Sequence, residues 1–462
     1  MQHEPVTDVV VVLPGIMGSV LRRGGEDVWS VSRGTLFKNL LRGLGPIKAL
    51  ALEDDRPEDD DPGDGVTADR LVDDTHIIPG LWSIDGYSGL RARILAMPGV
   101  RRGENYFELA YDWRRDNRVA ARKLDRQSEV WLRRWRESHP DRRDARLVLV
   151  AHSMGGIISR YFLEVHGGWQ RTRHLVTLGT PYRGSVNALD FIVNGMRKRF
   201  GRVTIYDLTA VVRSLTSVYQ LLPTFTCLDR GDGELHALVD AGPVADLDAT
   251  KAAAARAFHQ EIEDAVEENR KNDDYLDAEK GYIIWPVAGV AQPTLQSARV
   301  AEAGLEMLRS HGGKNRDGDG RVVQDSAAPT DRQLTPFFPN QTHASLQNDD
   351  AVMAQVQAII ARPRDALRGE PRQYKFGVDI EDAYSAGREI PVVVKVAEDV
   401  PPLTATAIDT GTKERVVDRQ PLRQTDDGYA GELPPLTEGT YRLVVEGVDV
   451  VPVTDTFVVI AP

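Results

Sequence analysis

The chain has 462 residues, 41% of them hydrophobic; that is too long for one ordinary domain and too apolar for global disorder. Its 57 basic and 69 acidic residues leave a net charge of −12. Neutralising phosphates needs clustered Lys and Arg, so nucleic acid is not expected as a partner, and the acidic excess reads as solubility. A single cysteine, Cys227, excludes an intrachain disulfide. The opening residues Met1–Pro5 lack a charged n-region and apolar core, and no stretch approaches the roughly 20 apolar residues that span a bilayer. A cytoplasmic protein is the expectation.

Two patterns follow each other along the chain. From Asp8 to about Arg362, short apolar runs alternate with longer helical segments, the mark of βα units around a mostly parallel sheet. Strands are expected at Val9–Leu13, Leu147–Ala151, Leu175–Leu178 and Ile283–Val287, near-continuously apolar because both faces are buried. Helices are expected at Val119–Ser138, Ile157–Val165 and Ala252–Arg270. The acidic, proline-broken stretch Glu53–Pro62 reads as a solvated loop, with no ligand spacing for calcium. From Tyr374 the pattern turns alternating and β-branched (Ile390–Val396, Leu403–Ile408, Tyr441–Val445, Thr456–Ile460), as in an immunoglobulin-like β-sandwich. The charged segment from Arg362 to Arg372, with two prolines, reads as a linker, giving domains at 1–365 and 374–462.

The run Leu147–Gly156 passes from a buried strand into a helix through Ala151-His152-Ser153-Met154-Gly155. Small residues two positions either side of Ser153 permit a turn so sharp that larger side chains would collide. Such a turn projects the serine hydroxyl above the sheet and aims the helix's first amides at developing negative charge. A serine nucleophile needs a base, and the base needs an orienting carboxylate. Six histidines follow Ser153. His343, in a loop before the helix Ala351–Ala361, is the candidate base, whereas surface positions account for His166 and His259. His152 is read as a local hydrogen-bonding residue. For the acid, Asp319 in the loop 315–323 is preferred, with Asp317 and then Asp325 behind it. Asn315, Asp317 and Asp319 also imitate the start of an EF-hand loop, but Ser326 stands where its bidentate Glu belongs. Two amides should hold the oxyanion: Met154, directly after the serine, and Ile16, in the glycine turn Leu13–Ser19.

These motifs together resemble the lecithin:cholesterol acyltransferase and lysosomal phospholipase A2 family of lipases. The shared segments are Pro14–Ser19, Tyr111–Arg114, Ala151–Gly156 and Gly179–Ser185, with looser matches at Gly289–Thr294 and Gly318–Gly320. The likeness spans about residues 8–362 and implies an α/β-hydrolase fold, a Ser153–Asp319–His343 triad, and oxyanion donors at Ile16 and Met154. It also implies a cap over the acyl pocket within Ser185–Lys280 and a lipid-facing insertion after the first strand. In that insertion, Leu36, Phe37, Leu40, Leu41 and Leu44 recur at helical spacing, so 34–50 is a candidate for peripheral membrane contact or for a packed cap helix. Ala151 for the commoner Gly, Arg321 after Gly320 and the lone cysteine depart from the family pattern.

The expected activity is hydrolysis of a lipid or long-chain ester through an acyl-enzyme, with no metal or organic cofactor. The alternatives are transfer of the acyl group to an alcohol, or an interaction protein on a hydrolase scaffold that takes a protein partner through its C-terminal sandwich.

Overall fold

Five parallel strands stand side by side in the order Ile283–Val287, Thr172–Leu178, Leu147–His152, Val9–Leu13 and Tyr106–Glu108 in the computed structural model. The structure describes the chain apart from residues 1–4, 30–48, 74–75, 79–81, 201–202, 278, 303, 333, 335, 362–374, 397–399, 448–449 and 461–462. Every residue of Val9–Leu13 and Leu147–His152 is buried, because helices cover both faces of the sheet. The expected helices form over Asn117–Glu137, Met154–Glu164 and Ala249–Asn269. Asp116 and Asp248 cap the first and third by accepting hydrogen bonds from first-turn amides, each worth about 1 kcal/mol. This is the doubly wound sheet of an α/β-hydrolase. Among the described residues, no helix is long and apolar enough to cross a membrane.

The acidic stretch 53–62 is the mostly exposed loop expected, with one buried anchor, the Asp55 side chain. Arg115, 2% exposed, bonds Asp55 at 2.9 Å and the carbonyls of Asp60 and Arg56. Fully buried Arg114 beside it bonds Asp112 and Asp64. Two guanidiniums removed from water need this many acceptors, so the loop is pinned to the Tyr111–Arg115 motif. The candidate membrane segment 34–50 lies, but for its last two residues, outside the described residues.

From Phe376 onward two sheets form a sandwich with its own hydrophobic core. One carries Phe376–Asp379, Ile390–Val396, Gly428–Leu433 and Arg423–Thr425; the other carries Ala383–Ser385, Val450–Ile460, Gly439–Gly447, Leu403–Asp409 and Arg415–Pro421. Residues 390–395 alternate buried and exposed, as one-sided packing requires. The expected linker and domain boundary fall within 362–374, outside the described residues.

Candidate active site

Ser153 sits at φ 51° and ψ −124°, between the strand ending at His152 and the helix starting at Met154. A non-glycine residue in that region stores roughly 1–3 kcal/mol of strain, held here by its neighbours. Its amide donates to the Leu178 carbonyl at 2.9 Å, and its carbonyl accepts from Thr180 Oγ1 at 3.0 Å. Gly155 packs so closely that a Cβ would stand 2.6 Å from the Pro14 carbonyl oxygen. The strand, the turn and this contact aim the hydroxyl at the carboxyl edge of the sheet.

His343 Nε2 lies 3.0 Å from Ser153 Oγ, and its Nδ1 lies 2.7 Å from Asp319 Oδ2. All three residues are buried. The carboxylate accepts a hydrogen bond from Nδ1–H, which fixes the tautomer and leaves Nε2 as the acceptor facing the serine hydroxyl. The other carboxyl oxygen, Asp319 Oδ1, accepts from the amides of Arg321 and Val322 at 2.9 and 2.7 Å. Asp317 turns elsewhere, accepting from the amides of Ala291 and Gly318, and Asp325 pairs with Arg316. Geometry thus separates the three candidate acids. The backbone must come very near the acid–base pair at Gly179, which has φ 59°. A Cβ there would lie 2.8 Å from both Asp319 Oδ2 and His343 Nδ1.

Met154 opens its helix, so its amide has no intrahelical partner. Ile16 lines the same cleft as Ser153. Neither amide has a hydrogen-bond partner among the described residues, so both remain available to an oxyanion. Behind them runs a network with no local signal in the sequence. The Gly15 amide donates to Tyr87 Oη at 2.8 Å, and Tyr87 Oη meets His152 Nδ1 at 2.9 Å. His152 Nε2 is 3.0 Å from the His343 carbonyl. A carbonyl only accepts, so Nε2 carries the proton and Nδ1 accepts from Tyr87. Burial, with His343 beside it, holds the His152 imidazole down to about 3, so the ring stays neutral. One neutral ring therefore ties the Ile16 turn to the His343 loop. His259, expected at the surface, is buried instead and bonds the Gln220 carbonyl.

Two spaces lie beside the triad, and Ser153 lines the first of them. The first is an apolar cleft of about 30 Å³, narrowed by Phe191, Val212, Val218 and Leu221 from the cap segment. The second is a polar cavity of about 500 Å³ lined by Asp319, His343 and residues of the sandwich. Asn187, missed by sequence reasoning, lines both. The sandwich is fastened to the base loop: Thr342 Oγ1 donates to the Thr454 carbonyl at 2.7 Å, and Gln341 Oε1 accepts from the Thr454 amide at 3.0 Å. The arrangement can deprotonate a serine hydroxyl and stabilise an oxyanion beside an apolar cleft.

Residues 85–276 match the family model for lecithin:cholesterol acyltransferase. The chain is 30% identical over 148 residues to the lysosomal phospholipase A and acyltransferase of Bos taurus, covering 31% of this chain and 35% of that protein. It thus spans about a third of that relative's length. Among solved structures it overlaps a chain of the Tle4–Tli4 complex with TM-score 0.50 and 14% identity, over 77% of this chain and 98% of the other. A lipase of Bacillus licheniformis in propeptide form overlaps with TM-score 0.37 and 12% identity, over 99% and 94%. The first of these structures shares the fold. The family resemblance read from the motifs is thus matched over residues 85–276.

Proposed function

We propose that this chain, matched by the lecithin:cholesterol acyltransferase family model over residues 85–276, is a serine hydrolase of lipid or long-chain carboxylic esters that works through an acyl-enzyme. The observation that carries the reading is the Ser153–His343–Asp319 chain of hydrogen bonds at the mouth of an apolar cleft. Ser153 Oγ attacks the ester carbonyl carbon while its proton passes to His343 Nε2, and Asp319 steadies the resulting imidazolium. The amides of Ile16 and Met154 take the oxyanion. Collapse of the tetrahedral intermediate expels the alcohol, which leaves with the proton from Nε2. Water then attacks the acyl-enzyme, gives a proton to Nε2, and the acid departs as the serine recovers its hydrogen. A long acyl chain requires the cap to part, since the cleft holds only about 30 Å³.

Labelling by a fluorophosphonate, with turnover of p-nitrophenyl esters and phospholipids, tests this directly. Wild type should label and cleave, and Ser153→Ala should do neither. Equal labelling of the two proteins would remove Ser153 from the chemistry. A second reading, transfer to an alcohol, is favoured by the 500 Å³ cavity beside His343, which has room for an acceptor. Product analysis with and without an added alcohol separates the two: transfer yields a new ester, hydrolysis only acid.

A further inference from the structure

The sandwich does more than rest against the hydrolase sheet. Its strand Phe376–Asp379 is bound to the loop before the acid: the Val378 amide donates to Gln292 Oε1 at 3.1 Å, and Gln292 Nε2 donates to the Phe376 carbonyl. A Cβ on Gly377 would lie 2.2 Å from the Ala291 carbonyl oxygen, so the two backbones are in close contact. Between these ties lies the 500 Å³ cavity. Asp319, Thr342 and His343 form one wall, and Asp379, Asp382 and Asp455 of the sandwich belong to the other.

Chemistry assigns the two spaces to different parts of an ester. The leaving alcohol receives its proton from His343 Nε2, so it must lie on the His343 side. His343 lines the polar cavity, and the acyl part then falls to the apolar cleft that Ser153 lines. At the junction stand Arg321 and Asn187, which line both spaces, Asn187 only 7% exposed; the Asn187 side chain is the uncommitted one. Its Oδ1 has no hydrogen-bond partner among the described residues, a costly state for a buried amide unless a ligand supplies the donor. The cavity's other charged groups, beyond Asp319 and His343, are four carboxylates (Asp379, Glu381, Asp382, Asp455) against two guanidiniums (Arg309, Arg321). Both guanidiniums already meet carboxylates, Arg309 with Asp379 at 2.9 Å and Arg321 with Asp382 at 3.4 Å. The surplus is of acceptors and, even with Asp455 protonated, of negative charge.

On the hydrolase reading above, we infer that the sandwich completes the active site as the alcohol-side subsite, selecting esters whose alcohol donates hydrogen bonds, through hydroxyls or a protonated amine. Asn187 accepts from that alcohol close to the scissile bond, and the sandwich carboxylates receive its far end. An anionic alcohol is disfavoured by the same surplus.

Four esters of one acid test this on the full-length protein: ethyl octanoate, 1-octanoylglycerol, 2-(dimethylamino)ethyl octanoate and the octanoyl ester of glycolate. Each kcat/KM is divided by that ester's rate in hydroxide, which removes the intrinsic difference between leaving groups. The glycerol and amino esters should exceed ethyl octanoate by about tenfold, as one or two buried charge-assisted hydrogen bonds imply, with the glycolate ester slowest. Preference for the glycerol ester alone, or for the amino ester alone, identifies which donor is used and upholds the subsite. Asn187→Leu, and separately Glu381→Gln combined with Asp455→Asn, should bring the ratios toward one. Ser153-dependent cleavage of all four esters at equal corrected rates, or fastest cleavage of the glycolate ester, overturns the subsite and leaves the hydrolase intact. Fluorophosphonate labelling at Ser153 without cleavage of any of the four also overturns it. Neither labelling nor cleavage overturns the hydrolase reading and the subsite with it.

Discussion

The turn at Ser153 and the loop at His343 hold neighbouring atoms in opposite ways. Around Ser153 the turn itself is adjoining chain (a buried strand, one strained residue, and a helix whose second residue is glycine), held in place by Leu178, Thr180 and Pro14. Around His343 the restraints come from far away in sequence. Asp319 is 24 residues distant and His152 is 191, while Thr342 and Gln341 meet Thr454, more than 110 residues on. Asp85 also receives the sandwich's Arg442, and its amide donates to the Ala344 carbonyl. A base built from distant contacts depends on how the parts dock.

That contrast can be broken at the point where the two meet. Gly179→Ala places a Cβ against both Asp319 and His343, so activity should fall by roughly 100-fold or more through misplacement of the pair. Fluorophosphonate labelling together with melting curves checks this, and wild-type turnover would mean that the pair tolerates displacement. Tyr87→Phe comes next. It removes the donor to His152 Nδ1 and the acceptor for the Gly15 amide, and should lower kcat by about 10- to 100-fold with little change in KM. A rise in KM alone would show that the network serves binding and not the transition state. Gln341→Ala cuts one tie between sandwich and base loop. About 1 kcal/mol of positioning is at stake, a loss of roughly fivefold in kcat, and no loss would make this tie incidental.

The smallest effect is expected at Asp455, which faces Asp382, Asp85, Arg321 and the amide of Thr456. Burial, aided by Asp382, pushes its carboxyl up from 3.8 to about 7. The fold thus retains a proton that the unfolded chain releases, and stability falls as pH rises through that interval, then levels off above it. The cavity admits some solvent to this side chain, so the cost is on the order of 1–2 kcal/mol. Asp455→Asn should flatten the dependence of Tm on pH and raise Tm at pH 8 by a few degrees. An unchanged profile would locate the titration elsewhere.

The amino-acid sequence alone determined four of the five parallel strands, the helices beside them, the alternating C-terminal strands and the turn at Ser153. Each is encoded in periodicity or spacing over ten or twenty neighbouring residues, where steric rules of the backbone act directly. His343 and Asp319 were legible from chain order and family motifs, yet Asp317 stood two positions away with the same chemistry. Only the folded backbone, with Asp317 turned toward the amides of Ala291 and Gly318, separated them. Tyr87, Asn187 and the sandwich wall carried no local signal, because their partners lie 65 or more residues away or act only by lining a space between elements. Arg115 belongs to the same class: its buried guanidinium finds its carboxylate, Asp55, 60 residues away in an otherwise exposed loop. Local sterics write strands, helices and turns into a sequence, whereas burial and the meeting of distant side chains exist only once tertiary packing brings them together.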